Sequence, residues 1–130
     1  MEENYKILIV DDEIDIVELL RLRLQINNFS VMTALDGIQA LEQVAIEIPD
    51  LIVMDIKMPR LNGYKVTKKL REDSKTDSIP IFIITALSKY TSNVAEQCQE
   101  LGVQQVFYKP FETTELITAI QTCLKIPAPE

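Results

Sequence analysis

The chain has 130 residues, 47% of them hydrophobic and 25% charged, the length and balance of one soluble domain with a single core. Twenty acids against 13 bases give a net charge of −7, which repels phosphate backbones and anionic lipid and sets nucleic acid and membrane aside as partners of this segment. Histidine is absent and glycine occurs only at Gly37, Gly63 and Gly102, so His-based triads, bases, metal ligands and phosphohistidine carriers are excluded, as are Gly-rich dinucleotide and Walker loops.

In chain order, an acidic start leads into Lys6–Val10 (KILIV), an apolar run far too short for a signal peptide or a membrane span. Being apolar on both faces, it predicts a buried parallel strand. Ile14, Val17, Leu20 and Leu24 mark a first helical stripe. Ser30–Ala34 predicts a weaker strand nearer a sheet edge. Asp36 suits the N-cap of a second helix carrying Ile38, Leu41, Val44 and Ala45. Leu51–Met54 (LIVM) is a second fully apolar strand, and Gly63, Val66 and Leu70 mark the third helix. Asp73–Ser78 is a polar loop, and Pro80 opens the strand Ile81–Thr85 (IFIIT), where a missing N–H is harmless.

Ser88 is the expected N-cap of a fourth helix with Val94, Cys98 and Leu101 on its inner face. Gln105–Tyr108 is an edge strand, and Ile117, Ile120 and Leu124 mark a fifth helix. The domain is expected over residues 1–125, with Ile126–Glu130 (IPAPE) as a tail or the start of a linker. Cys98 and Cys123, far apart on helices, read as reduced thiols of a cytoplasmic chain.

This alternation predicts an α/β fold: (βα)5, a doubly wound five-stranded parallel sheet in the order 2-1-3-4-5. Ligands of such sheets bind at the carboxyl ends of the strands where the winding reverses, between strands 1 and 3. The residues placed there are Asp11 and Asp12 after strand 1, Asp55 after strand 3, Thr85 at the end of strand 4 and Lys109 after strand 5. Each alone reads as a cap, a loop acid, a strand hydroxyl or a surface lysine; the conjunction is what carries chemistry. Three clustered carboxylates repel and call for a hard cation, and Mg²⁺ is usual where a phosphoryl group is handled. Three carboxylates, one Mg²⁺ and one ammonium sum to zero, so the site could admit an anion. Asp55, with Thr85 and Lys109 expected on its far side, is the natural nucleophile, to be converted to an acyl phosphate.

The motifs Ile7–Glu13 (ILIVDDE), Asp55-Ile56-Lys57-Met58-Pro59 with Asn62-Gly63, Ile84-Thr85-Ala86 and Lys109-Pro110-Phe111 resemble those of the receiver (CheY-like) domains of bacterial two-component response regulators, over about residues 4–125. The resemblance implies a flavodoxin-like fold and a Mg²⁺-dependent signalling switch phosphorylated on Asp55. It implies direct metal ligation by Asp12 and Asp55, a third protein ligand in the backbone carbonyl of Lys57, and Asp11 acting through water. It also implies a cis peptide between Lys109 and Pro110. The implied partners are a histidine kinase or histidine phosphotransfer protein, an output domain or effector, and a second copy meeting this one through helix 4, strand 5 and helix 5 on phosphorylation. Such a domain is no enzyme beyond catalysing its own phosphorylation and dephosphorylation.

One position departs from the pattern. Receivers usually carry Tyr or Phe three residues before the motif lysine, and here that residue is Val106. Alternation puts Phe107 on the opposite face from Val106 and returns Tyr108 to the same face, next to the lysine. Lys57 and Leu87 hold the positions that normally tune the lifetime of the phosphorylated state, and Leu87 cannot orient a water. Two other readings compete with this one. A haloacid-dehalogenase-type phosphatase needs an acid two residues after its nucleophile, where this chain has Lys57. A pseudo-receiver acting without phosphorylation is kept open by Val106 and opposed by the full acid set.

Overall fold

Ile7–Val10 of β1 (Lys6–Val10) and every residue of β3 (Leu51–Asp55) and β4 (Ile81–Thr85) are buried, as runs apolar on both faces must be in the middle of a sheet. The computed structural model describes residues 4–90 and 92–126. Around these strands the chain adds β2 (Ser30–Ala34) and β5 (Gln105–Tyr108) at the edges. The helices are α1 (Ile14–Ile26), α2 (Gly37–Ile46), α3 (Gly63–Arg71), α4 (Val94–Glu100) and α5 (Thr113–Cys123). All pairings are parallel, in the order β2-β1-β3-β4-β5, as expected. Strand 3 runs one residue further than expected, so that Asp55 pairs with Ile84 inside the sheet.

The sheet divides two cores by strand alternation. Ile7, Ile9, Val53, Phe82 and Ile84 face α1 and α5. Leu8, Val10, Ile52, Met54 and Ile83 face α2, α3 and α4. Each such fully buried aliphatic side chain contributes roughly 1.5–3 kcal/mol, which fixes the register and with it the residues at the strand ends. No helix among the described residues is long and apolar enough to cross a membrane. Of the expected tail, Ile126 is described and residues 127–130 lie outside the described residues.

Three helix expectations are corrected. Ile14 is 60% exposed, while Val17, Leu20 and Leu24 are buried. It opens α1 at the rim, beyond the end of β1, where the sheet no longer covers the first turn. In α2 the inner face is Gly37, Ala40, Leu41 and Val44; Ala45 turns outward. Ser88 does not cap α4, which starts at Val94 with Asn93 before it and no side-chain cap. Ser88 instead holds the preceding turn: its hydroxyl accepts from the Tyr90 N–H at 3.1 Å and its carbonyl accepts from the Ser92 hydroxyl. Two helices do carry side-chain caps: Asp36 accepts from the Gln39 N–H at 2.8 Å, and Asn62, missed in the sequence, accepts from the Lys65 N–H at 2.9 Å. Cys98 is buried, Cys123 is half-buried, and both are free.

A half-buried arginine was also not foreseen. Arg71, at the end of α3, donates to the carbonyls of Leu101, Gly102, Asp77 and Ile79 at 2.8–3.1 Å. It ties α3 to the loops that lead into β4 and β5.

Candidate functional site

Asp11 follows β1 and is fully buried, its amide donating to the Ala34 carbonyl at 3.2 Å. Its carboxylate accepts from the Glu13 N–H at 2.9 Å, which turns the chain into α1 and leaves Asp12 exposed beside it. Asp55, 5% exposed, ends β3 and accepts from the Ile56 N–H at 2.7 Å. Carboxylate oxygens of Asp11, Asp12 and Asp55 all lie within 4.8 Å of one another. The expected triad is therefore assembled, and its hard oxygen donors suit a hard divalent cation of the Mg²⁺ class.

Close approach of the next loop makes the cluster possible. A Cβ on Gly63 would stand 2.3 Å from the Asp55 carbonyl oxygen, so only glycine lets α3 start there. The Gly63 N–H donates to the Ile56 carbonyl at 2.9 Å and closes the β3–α3 loop, on which Lys57 is exposed.

Lys109 enters from the far side of the sheet. Its amide donates to the Thr85 carbonyl at 2.7 Å, and the Lys109–Pro110 peptide is cis, as the family resemblance implied. The Nζ reaches Asp11 at 2.9 Å and Asp55 at 3.3 Å, with Glu13 at 3.9 Å. The sequence placed the lysine beside Asp55; it stands nearer to Asp11 and bridges the two acids. Thr85 is buried at the end of β4, and its hydroxyl accepts from the Leu87 N–H at 3.0 Å.

The electrostatics follow from this packing. Burial, then the neighbouring Asp11 charge, pushes the Asp55 carboxyl up to about 6, although Lys109 and the Ile56 N–H pull the other way. Burial alone would lower the Lys109 pKa, but the Asp11 hydrogen bond and both carboxylate charges outweigh it and hold the ammonium above the ordinary lysine value. The metal-free site is thus an acid pair with an internal counter-ion.

Val106 pairs with Ile83 and packs, with Tyr108, on the α2–α4 side; Phe107 lies on the other side, 5.9 Å from the Phe82 ring. The alternation read from the sequence holds, and no aromatic occupies the position of Val106.

The response regulator receiver domain family model matches residues 7–121. Among curated proteins, the chain is 41% identical over 126 residues to a probable transcriptional regulator, ycf27, of Cyanophora paradoxa, covering 96% of this chain and 51% of that protein. It is 38% identical over 127 residues to the response regulator MprA of Mycobacterium bovis, covering 98% and 54%. The chain thus spans about half the length of these relatives. A solved structure of a putative response regulator from Chloroflexus aurantiacus superposes with a TM-score of 0.86 at 29% identity, covering 95% of this chain and 99% of that one. The chemotaxis response regulator CheY4 of Vibrio cholerae gives 0.83 at 30% identity, covering 92% and 98%.

Proposed function

The chain belongs to the response regulator receiver domain family, and on that premise we propose that it is a two-component switch phosphorylated on Asp55 in a Mg²⁺-dependent reaction. The observation that carries the reading is Lys109 Nζ lying within 3.3 Å of both Asp11 and Asp55 at a rim where three carboxylates converge. Asp12 and Asp55 would hold Mg²⁺, with the Lys57 carbonyl as third protein ligand and Asp11 acting through water. Bound there, the ion offsets carboxylate charge and the charge on transferring phosphoryl oxygens.

The chain's own groups supply the rest. An Asp55 carboxylate oxygen attacks phosphorus, the P–N bond of a phosphohistidine donor breaks, and the imidazole leaves with the bonding pair while an acyl phosphate forms. Lys109, freed from its bridge, holds a phosphoryl oxygen, and the Thr85 hydroxyl donates to another. The acyl phosphate is later hydrolysed on the same domain, so the chain catalyses only its own phosphorylation and dephosphorylation. An apolar groove of about 440 Å³, lined in part by Ile16, Leu19, Ala86, Pro110 and Phe111, flanks the rim and supports docking of the phosphohistidine donor, a histidine kinase or phosphotransfer protein, in the cytoplasm. The output lies in an attached domain or a separate effector, with α4, β5 and α5 as the surface for a second copy.

Acetyl phosphate with Mg²⁺ should add one phosphate by intact mass to the wild type and none to Asp55→Asn. Undiminished labelling of that variant would remove Asp55 from the role.

A further inference from the structure

The net charge of −7 conceals a segregation. Residues 57–75 hold seven of the 13 basic side chains and two of the 20 acidic ones, a net +5, which leaves −12 on the rest of the chain. Arg60 and Arg71 are used internally, on Asp36 and on four backbone carbonyls. Lys57, Lys65, Lys68, Lys69 and Lys75 are exposed, and among the described residues none is in an ion pair. The helix dipole accounts for lysines in the last turn of α3, Lys68 and Lys69. It accounts neither for Lys65 in the first turn nor for Lys75 beyond the helix. Like charges three and four residues apart on one helix face weaken it, and among the described residues Glu72 and Asp73, the two acids of this segment, form no ion pair with them.

Beside the lysines runs a groove of about 490 Å³ between the C-terminal halves of α2 and α3. Leu41, Val44, Ala45, Ile48 and Leu70 give it an apolar floor, and Lys69, Lys75, Thr76 and one acid, Asp73, stand on its wall. Ile48 in this lining is 50% exposed, and Ile46, the last residue of α2, is 78% exposed. Both helices run back from the carboxyl ends of the strands, so this groove lies at the end of the sheet opposite Asp11, Asp12 and Asp55. It does not belong to the phosphorylation site.

We infer that the α2–α3 groove is a docking surface for an acidic amphipathic helix of a protein partner, its apolar side chains on the Leu41–Ile48 floor and its carboxylates against Lys69, Lys75 and the lysines of α3. An apolar floor gives a phosphate chain nothing to bind, and −12 on the remaining surface opposes a polyanion that extends past the patch. A helix of limited length meets the lysines alone. Complementary charge at the rim sets orientation and rate, and the floor supplies the area.

The test titrates the isotope-labelled chain, followed by backbone NMR, with a synthetic helical peptide about five turns long, leucine on one face and glutamate on the other. Parallel titrations use a peptide of the same composition with the leucines scrambled, duplex DNA, and phosphatidylserine vesicles. The amphipathic peptide should give saturable shifts centred on Leu41, Val44, Ala45, Ile48, Lys69 and Lys75. The double variant Lys69→Glu/Lys75→Glu should keep its spectrum and bind about tenfold more weakly, as should the wild type in high salt. Ile48→Glu should also lose binding. Equal binding of the scrambled peptide, shifts centred elsewhere, no saturable shift, or a stronger response to DNA or vesicles would each overturn the assignment.

Discussion

Arg60 and Asp36 form a two-pronged ion pair, Nε to Oδ2 at 3.0 Å and a terminal nitrogen to Oδ1 at 3.1 Å, across 24 residues of sequence. The same carboxylate caps α2, and the Gln39 N–H, helped by Arg60, holds it below the usual carboxylate range against its burial. Asp36 therefore pins the β3–α3 loop to the start of α2, where a Cβ on Gly37 would stand 2.1 Å from the Leu61 carbonyl oxygen. Asp36→Ala removes cap and pair together and should cost about 1–2 kcal/mol in urea unfolding. Arg60→Gly should change stability by less than about 0.5 kcal/mol. The pair it removes is half-exposed, and glycine relieves a φ of 66°. A larger loss for Arg60→Gly than for Asp36→Ala would show that the pair, not the cap, holds the loop.

The raised Asp55 pKa predicts an inverted pH dependence in metal-free protein. The folded state holds this proton more tightly than the unfolded chain, whose carboxyl titrates near the ordinary 3.8. The contribution is fully present below about pH 4 and is lost as the pH rises through about 6. Asp55→Asn never ionises, so it should exceed wild type in stability by something of order 1–3 kcal/mol at pH 7.5 and converge with it near pH 4. Adding Mg²⁺ should close the gap from the wild-type side. A constant difference between the two proteins across this range would refute a strained carboxylate.

Asp11 and Asp12 are adjacent in sequence and opposite in burial, and their variants should differ accordingly. Asp12→Ala removes an exposed acid from a repelling cluster, so the metal-free fold should be unharmed or slightly firmer while Mg²⁺ binding is lost. Asp11→Ala leaves the Glu13 N–H and Lys109 without their partner at 2.9 Å, and should cost about 1–3 kcal/mol while weakening Mg²⁺ less. Calorimetric Mg²⁺ titration beside thermal melts of the metal-free proteins separates the two effects.

The strands and the acid cluster were legible because they depend on local pattern. A run apolar on both faces has one place in a sheet, and the residue after it then lies at the rim. What could not be read depends on how elements end and meet. Ile14 shares the angular face of Val17 but overhangs the sheet. Ser88 has a good cap side chain, yet it spends its hydroxyl on a turn because α4 starts six residues later. Arg71, Arg60 and the choice of Lys109 between Asp11 and Asp55 are contacts between segments distant in sequence, where periodicity carries no signal.

Lys109→Ala should bind Mg²⁺ at least as tightly as wild type, since it deletes a cation that competes for Asp11 and Asp55. Without the ion it leaves two buried carboxylates facing each other, so its metal-free form should be the least stable of the site variants at neutral pH and should gain most from Mg²⁺. Mg²⁺ affinity that falls in this variant would mean that the lysine orders the acids rather than neutralising them.

On the proposed function, the signal must leave the site without an aromatic at position 106. Val106 is half-buried against Ile83, with few rotamers and too little surface to alter the exposed face. Thr85 is better placed, because its hydroxyl already accepts from the Leu87 N–H and can turn its proton to a phosphoryl oxygen. Any movement of the Thr85 hydroxyl strains or breaks that bond, so the Leu87 amide is the first reporter beyond the site. From there the turn that Ser88 holds leads to α4. A ligand shifts this loop only through contacts that differ between its two states, and the Thr85–Leu87 bond is one such contact. Backbone NMR of free and beryllofluoride-bound protein should therefore show changes at Asp55, Thr85 and Ala86–Tyr90, with Leu87 prominent and the Val106 methyls nearly still. Replacing Thr85 by alanine should leave beryllofluoride binding but silence Leu87. A large rotamer change at Val106 with an unmoved Leu87 amide would place the output path on β5 instead of on the β4–α4 loop.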